Sequence, residues 1–192
     1  MKRRIHSSIL RVLQLARISF YRALSTGHCN GKVYKRQPVL IVGDGIVQFE
    51  TDVTLGYFPS PFFLSGCIYL EARNYGSSIN VGEKTFINNN CVLIAEHTSI
   101  KIGKRCLVGT NVEMIDSDFH GINVADRHIS AREKARPIVI GDDVLVGSNV
   151  RIMKGAVIGD GSVIANGSIV AGTIPSHVIA GGNPARVLRS IG

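Results

Sequence analysis

The amino-acid sequence predicts an all-β fold, a parallel β-helix built from six-residue units, on three observations. An aliphatic residue recurs every six positions, at Val81, Ile87 and Leu93, then Ile102, Val108 and Met114, then Ile140, Val146, Ile152, Ile158, Ile164 and Val170. The next residue is glycine in six of these twelve units: Gly82, Gly103, Gly109, Gly141, Gly147 and Gly159. Four positions after the aliphatic residue stands a small or β-branched one, with His97 and Asp118 the departures. Such a unit makes one short strand and one turn, and three units close a triangular coil. The aliphatic side chain points inward, the glycine tolerates the backbone angles of the turn, and the small residue fits the corner. One coil cannot bury its own inner face, so stacking of coils supplies the stability. An antiparallel sandwich would need period-two strands and hairpin turns instead.

Composition agrees. The chain has 192 residues, 45% hydrophobic and 19% charged, which excludes disorder over most of its length. With 21 glycines, no tryptophan and 6% aromatics, it is built for tight repeated turns. Residues 1–30 read as an N-terminal basic amphipathic helix or cap, 31–175 as the β-helix with a loop over 115–137, and 176–192 as a C-terminal tail. In the helix, Ile5, Ile9, Val12, Leu13, Ala16, Phe20 and Leu24 share one face, which either caps the first coil or lies on an anionic membrane. Arg11, Arg17 and Arg22 interrupt the apolar run, which argues against a membrane span and a cleaved secretory signal. The region 41–80 adds irregular coils, and Tyr57–Phe63 forms a groove wall or a cap on the first coil.

The net charge of +8 suits anionic partners: nucleic acid, an acidic membrane, or a phosphorylated cosubstrate. Cys29, Cys67, Cys91 and Cys106 contain no CxxC pair, and Cys91 and Cys106 hold corner positions. A reduced, cytoplasmic protein is therefore expected.

The repeat breaks between Met114 and Ile140, where 20 extra residues are inserted. A long loop on a regular solenoid is usually functional. His120 stands near its start, in Asp116-Ser117-Asp118-Phe119-His120, and a neutral imidazole there can accept a proton from an attacking hydroxyl. His128 lies farther along the loop, and His97 is expected to turn outward at its corner. Asn88, Asn89 and Asn90 form a polar run that can satisfy backbone groups along a stack.

The units VGEKTF, IGKRCL, VGTNVE, IGDDVL, VGSNVR and IGDGSV, with the ending IPSHVIAGGNPARVLRSI, resemble the hexapeptide-repeat acyltransferases. FINNNCVLIAE followed by DSDFHGI is similar to their sugar O-acetyltransferase branch, including galactoside and maltose acetyltransferases and enzymes that O-acetylate bacterial surface polysaccharides. The resemblance covers about Pro59 to Ile191. It implies a left-handed β-helix, a homotrimer, acetyl-CoA as donor, no metal, and His120 as the catalytic base. It implies an acceptor site at Asn88, Glu96 and Asp118, although Glu96 replaces the usual Asp and Phe86 the usual Tyr. It implies coenzyme A contacts at Ser148, Asn166, Ala171, Arg186 and Arg189, with Lys154 a further cation, and a backbone N–H at Gly147-Ser148 for the oxyanion. The acceptor is then a sugar hydroxyl, on a small molecule or a lipid-linked precursor.

Two other readings compete. A non-catalytic basic solenoid would bind a membrane or another anionic partner, though no nucleic-acid motif is present. A zinc enzyme like the γ-class carbonic anhydrases needs three converging ligands, and His120 and His128, eight apart, do not match its histidine spacing.

Overall fold

The protein is described by a computed structural model over residues 2–192, with side chains from Ser8 onward. The side chains of the basic cluster Lys2–Arg4, of Ile5 and of His6 lie outside the described residues. One helix, α1 (Lys2–Leu24), is followed by short strands that stack in three parallel sheets. The first face runs from His28–Asn30 to Thr173–Ile174, the second from Val33–Lys35 to Val178–Gly182, and the third from Val39–Val42 to Ile169–Val170. This is the all-β, left-handed parallel β-helix expected.

The registers follow the six-residue phase. Leu145 lies between Leu107 and Val163 on the second face, and Ile152 between Met114 and Val170 on the third. The insert does not disturb them: Ile100 pairs with Ile138 across it. Alternation puts every second side chain inside, where Ile87, Leu93, Ile102, Val108, Met114, Ile140, Val146 and Ile152 form buried columns. The corner residues Thr85, Cys91, Cys106, Val112, Val144 and Val150 are buried as well. All four cysteines are free, and burial pushes the Cys91 thiol up to about 12, which suits a packing role.

The glycines do a different job from the one expected. The left-handed turn angle falls two residues later, at Lys84, Arg105, Asn111, Asp143 and Asn149, with φ between 55° and 61°. The six repeat glycines are needed for close approach of stacked corners. A Cβ at Gly103 would stand 2.3 Å from the carbonyl oxygen of Gly141, on the next coil. Because that neighbour is backbone, Gly103→Ala is expected to cost about 1–3 kcal/mol through overpacking. Urea unfolding should show this as a lower midpoint at an unchanged slope.

Both ends are held to the solenoid. The expected helix is present, and α1 lies against the body with its polar side rather than with the apolar face that capping would use. Gln14 is buried and Arg17 half-buried, while Ile9, Val12, Leu13, Phe20 and Leu24 are exposed. Backbone carbonyls explain the choice: Gln14 donates to Arg36 (3.0 Å), and Arg17 to Phe63 (3.0 Å) and Gly66 (2.7 Å). The segment 176–192 is no loose tail. Val178–Gly182 adds a strand to the second face and Ala185–Ser190 pairs antiparallel with it.

Candidate active site

The predicted site residues fall on two edges of the prism. Asn88, Ser148 and Asn166 lie where the second face turns into the third. Glu96, Asp118, His120 and Ala171 lie where the third face turns into the first. The intervening strands of two to four residues, with the turns that flank them, span about 10 Å, so one chain does not bring the two sets together.

The third–first edge carries the loop. Asp116 opens it and is fully buried. Its carboxylate accepts from the backbone N–H groups of Glu96 (2.7 Å), His97 (3.2 Å) and Thr98 (2.6 Å) and from the Thr98 hydroxyl (2.8 Å). The loop's far end returns through the Arg136 N–H, which donates to the Asp116 carbonyl at 2.9 Å. Asp118 pairs with Lys154, so these two groups neutralise each other.

Glu96 is only 4% exposed. Its carboxylate accepts from the Ser117 hydroxyl, from Ser130 (2.7 Å) and from Arg73 (3.2 Å). Burial pushes this carboxyl up, but those two hydroxyls and the charges of His97 and Arg73 outweigh it, and the net shift is downward. The stability it contributes is present above the ordinary carboxylate range and is lost as pH falls through the lowered folded value. Glu96 was expected to meet the acceptor, but its exposed surface is nearly nil; it ties two points of the loop to the coil instead. His97 turns away from the core at its corner, as expected, and meets the loop. Its ring bridges Asn74 (3.2 Å) and Ser130 (3.2 Å).

His120 emerges exposed beyond these anchors. Phe119 before it holds a φ of 59°, uncommon for a bulky residue, and its ring lies 4.5 Å from the Arg73 guanidinium. His120 Nδ1 faces the carbonyl of Arg127 at 2.8 Å. A carbonyl only accepts, so Nδ1 carries the proton and the Nε2 lone pair is left for incoming chemistry. His128 is exposed on the same loop. Among the described residues, no group of three His, Cys, Asp or Glu side chains gathers as a metal site.

On the other edge the asparagines divide their work. Asn89 is fully buried and staples the 57–61 segment, donating to Tyr57 (2.9 Å) and Pro61 (2.9 Å) and accepting from the Tyr57 N–H (3.0 Å). Asn90, Asn111 and Asn149 form a side-chain ladder at 3.1 and 2.8 Å. Asn88 is half-buried and accepts from the Asn89 N–H at 2.8 Å. The Ser148 N–H, expected to be open for an oxyanion, donates to Asn166 Oδ1 at 2.8 Å. It is available only when the Asn166 amide swings away.

Ala171 and Arg186 do come together. They line a cavity of about 420 Å³ with Gly172, Thr173, Pro184 and Val187. A Cβ at Gly172 would meet nothing within 4 Å, so the channel is open there. Arg189 lies on the same last strand, exposed and apart from this cavity.

Sequence reasoning missed Arg73, Phe119, Arg127 and Ser130. Their partners come from other coils or from across the loop, and no spacing announces them. Asp116 was legible only as the residue where the phase breaks.

Comparison with known proteins bears on this arrangement. The family model for the bacterial transferase hexapeptide (six repeats) matches residues 137–172, and that for the hexapeptide repeat of succinyl-transferase matches residues 99–127. A Dictyostelium discoideum protein that bears the name of an acetyltransferase is 35% identical over 167 residues, 85% of each chain. The solved hexapeptide-repeat acetyltransferase of Vibrio cholerae, complexed with acetyl coenzyme A, is 28% identical with a TM-score of 0.57. The match covers 93% of this chain and 78% of that one. The polySia-specific acetyltransferase NeuO is 29% identical with a TM-score of 0.66, over 85% of this chain and 66% of its own.

Proposed function

The chain belongs to the hexapeptide-repeat acetyltransferases, and from that premise we propose that it moves an acetyl group from acetyl-CoA to a sugar hydroxyl by direct transfer. The observation that carries the reading is the hydrogen bond from His120 Nδ1 to the Arg127 carbonyl. It fixes the imidazole in the tautomer that a general base requires.

The donor fits what the chain offers. The channel at Ala171–Gly172 admits a narrow flexible chain, and Arg186 at its margin suits a phosphate as a charge-assisted donor. Acetyl-CoA supplies the activated acyl group. His120 Nε2 takes the proton as the acceptor hydroxyl attacks the thioester carbonyl, and the Ser148 N–H, once the Asn166 amide swings aside, steadies the charge that develops on the carbonyl oxygen; the C–S bond then breaks and coenzyme A leaves as the thiol, taking the proton from His120. Glu96 acts as a positioning residue for the loop.

The two edges supply complementary halves, so the complete site is a groove between adjacent copies in a homotrimer. Asn88, Ser148 and Asn166 from one copy would face Asp118 and His120 from the next. Support for a sugar acceptor comes from NeuO, and a surface polysaccharide or its precursor, made on the cytoplasmic side, is the reading we favour.

Calorimetric titration with acetyl-CoA tests the donor site. Saturable binding near one molecule per subunit is expected, and no binding by folded protein would overturn the assignment. Arg186→Ala should weaken that binding by about tenfold or more, the value of a charged hydrogen bond. Release of coenzyme A across a panel of oligosaccharides then tests the acceptor.

A further inference from the structure

The positive charge of the chain is not spread over the solenoid. Residues 1–43 hold nine Lys and Arg and no Asp or Glu, whereas the rest of the chain holds 13 and 14. The entire net charge therefore comes from α1 and the strands that follow it.

α1 also turns its apolar side away from the protein. Amphipathic helices ordinarily bury that side against the core. Here Gln14 and Arg17 hold the helix to backbone carbonyls, and Ile9 (63% exposed), Val12 (69%), Leu13 and Phe20 (61%) face outward. The adjoining loop adds exposed Phe58, Phe62 and Leu64. Between helix and loop runs a groove of about 640 Å³, in which Arg11, Lys35 and Arg36 stand beside Leu15, Ile18 and Phe58, with no acidic residue.

We propose that α1 and the 57–64 loop form a docking surface for an anionic lipid bilayer. The apolar stripe enters the acyl boundary, and the cations meet headgroup phosphates. The charge selects this occupant. The same end of a second copy would set Arg11, Lys35 and Arg36 against their own counterparts, and like charges in juxtaposition are repulsive. This surface is separate from the active-site reading and stands or falls without it.

Co-sedimentation of the full-length protein with vesicles tests the proposal. Phosphatidylcholine carrying a third of phosphatidylglycerol is compared with phosphatidylcholine alone, at physiological ionic strength. Binding about tenfold or more stronger on the anionic vesicles is expected, weakening as salt rises. Ile9→Glu/Val12→Glu and Arg11→Glu/Arg22→Glu should each lower it by about tenfold with an unchanged thermal midpoint, because these side chains are exposed. Equal binding to both vesicles, or none, would overturn the proposal. So would unaltered binding by both variants. A fall in assembly mass for Ile9→Glu/Val12→Glu, with no vesicle binding by the wild type, would assign the stripe to a second copy instead.

Discussion

His120→Ala is expected to lower kcat by about 10²- to 10⁴-fold, the usual contribution of a positioned general base. Affinity for acetyl-CoA should stay where it was, because the donor channel at Ala171 and Arg186 involves other segments. The measurement is coenzyme A release with a soluble acceptor, beside a calorimetric titration of the same sample. The size of the effect follows from geometry. His120 stands in the open, and its ring is oriented through one bond, from Nδ1 to the Arg127 carbonyl. A variant with normal turnover would remove the imidazole from the mechanism and leave the fold and the donor site standing.

Asp116→Ala is expected to cost about 3 kcal/mol or more of folding stability, because it leaves several donors unpaired and each unsatisfied buried donor costs about 1–3 kcal/mol. The carboxylate gathers three backbone N–H groups and one hydroxyl of the Glu96–Thr98 turn at a fully buried position. Deleting it leaves those donors without their acceptor. Asp116→Asn keeps the size but replaces one acceptor oxygen with a donor, and it should fall between wild type and alanine. Guanidinium unfolding measures both. A loss below about 1 kcal/mol for alanine would mean that water or a shifted turn satisfies the donors. Because the loop starts at Asp116, the alanine variant should also lose activity beyond what its folded fraction explains.

The solenoid was legible because its rule is local and repeated. Val81, Ile87 and Leu93 announce a coil by spacing alone, and Thr85 and Cys91 mark its corners. The cause assigned to the glycines was wrong, since Gly103 is required by a backbone one coil away and that contact has no signature in its own hexapeptide. α1 stayed undecided for a related reason. Its apolar spacing left open whether that face caps the first coil or lies on a membrane, and the carbonyls of Phe63 and Gly66, which draw in Arg17 instead, have no signature in the helix itself. At the site, His120 was readable as a histidine where the phase breaks. The Glu96–Ser117–Ser130–Arg73 network was not, because it joins residues from three separate stretches of chain. Nor does sequence reveal that Asn88 and His120 occupy different edges; that follows only from counting which strand belongs to which face.

The register across the insert has a consequence for how such a chain can diverge. Ile100 and Ile138 pair as neighbours although the whole loop lies between them. The coils above and below set that pairing, so the loop can be lengthened, shortened or exchanged without altering the stack. On the proposed function, the stack and the loop can therefore change independently: a different loop at this one edge would face a different acceptor, while the cavity at Ala171 and Arg186 near the C-terminal end stays as it is.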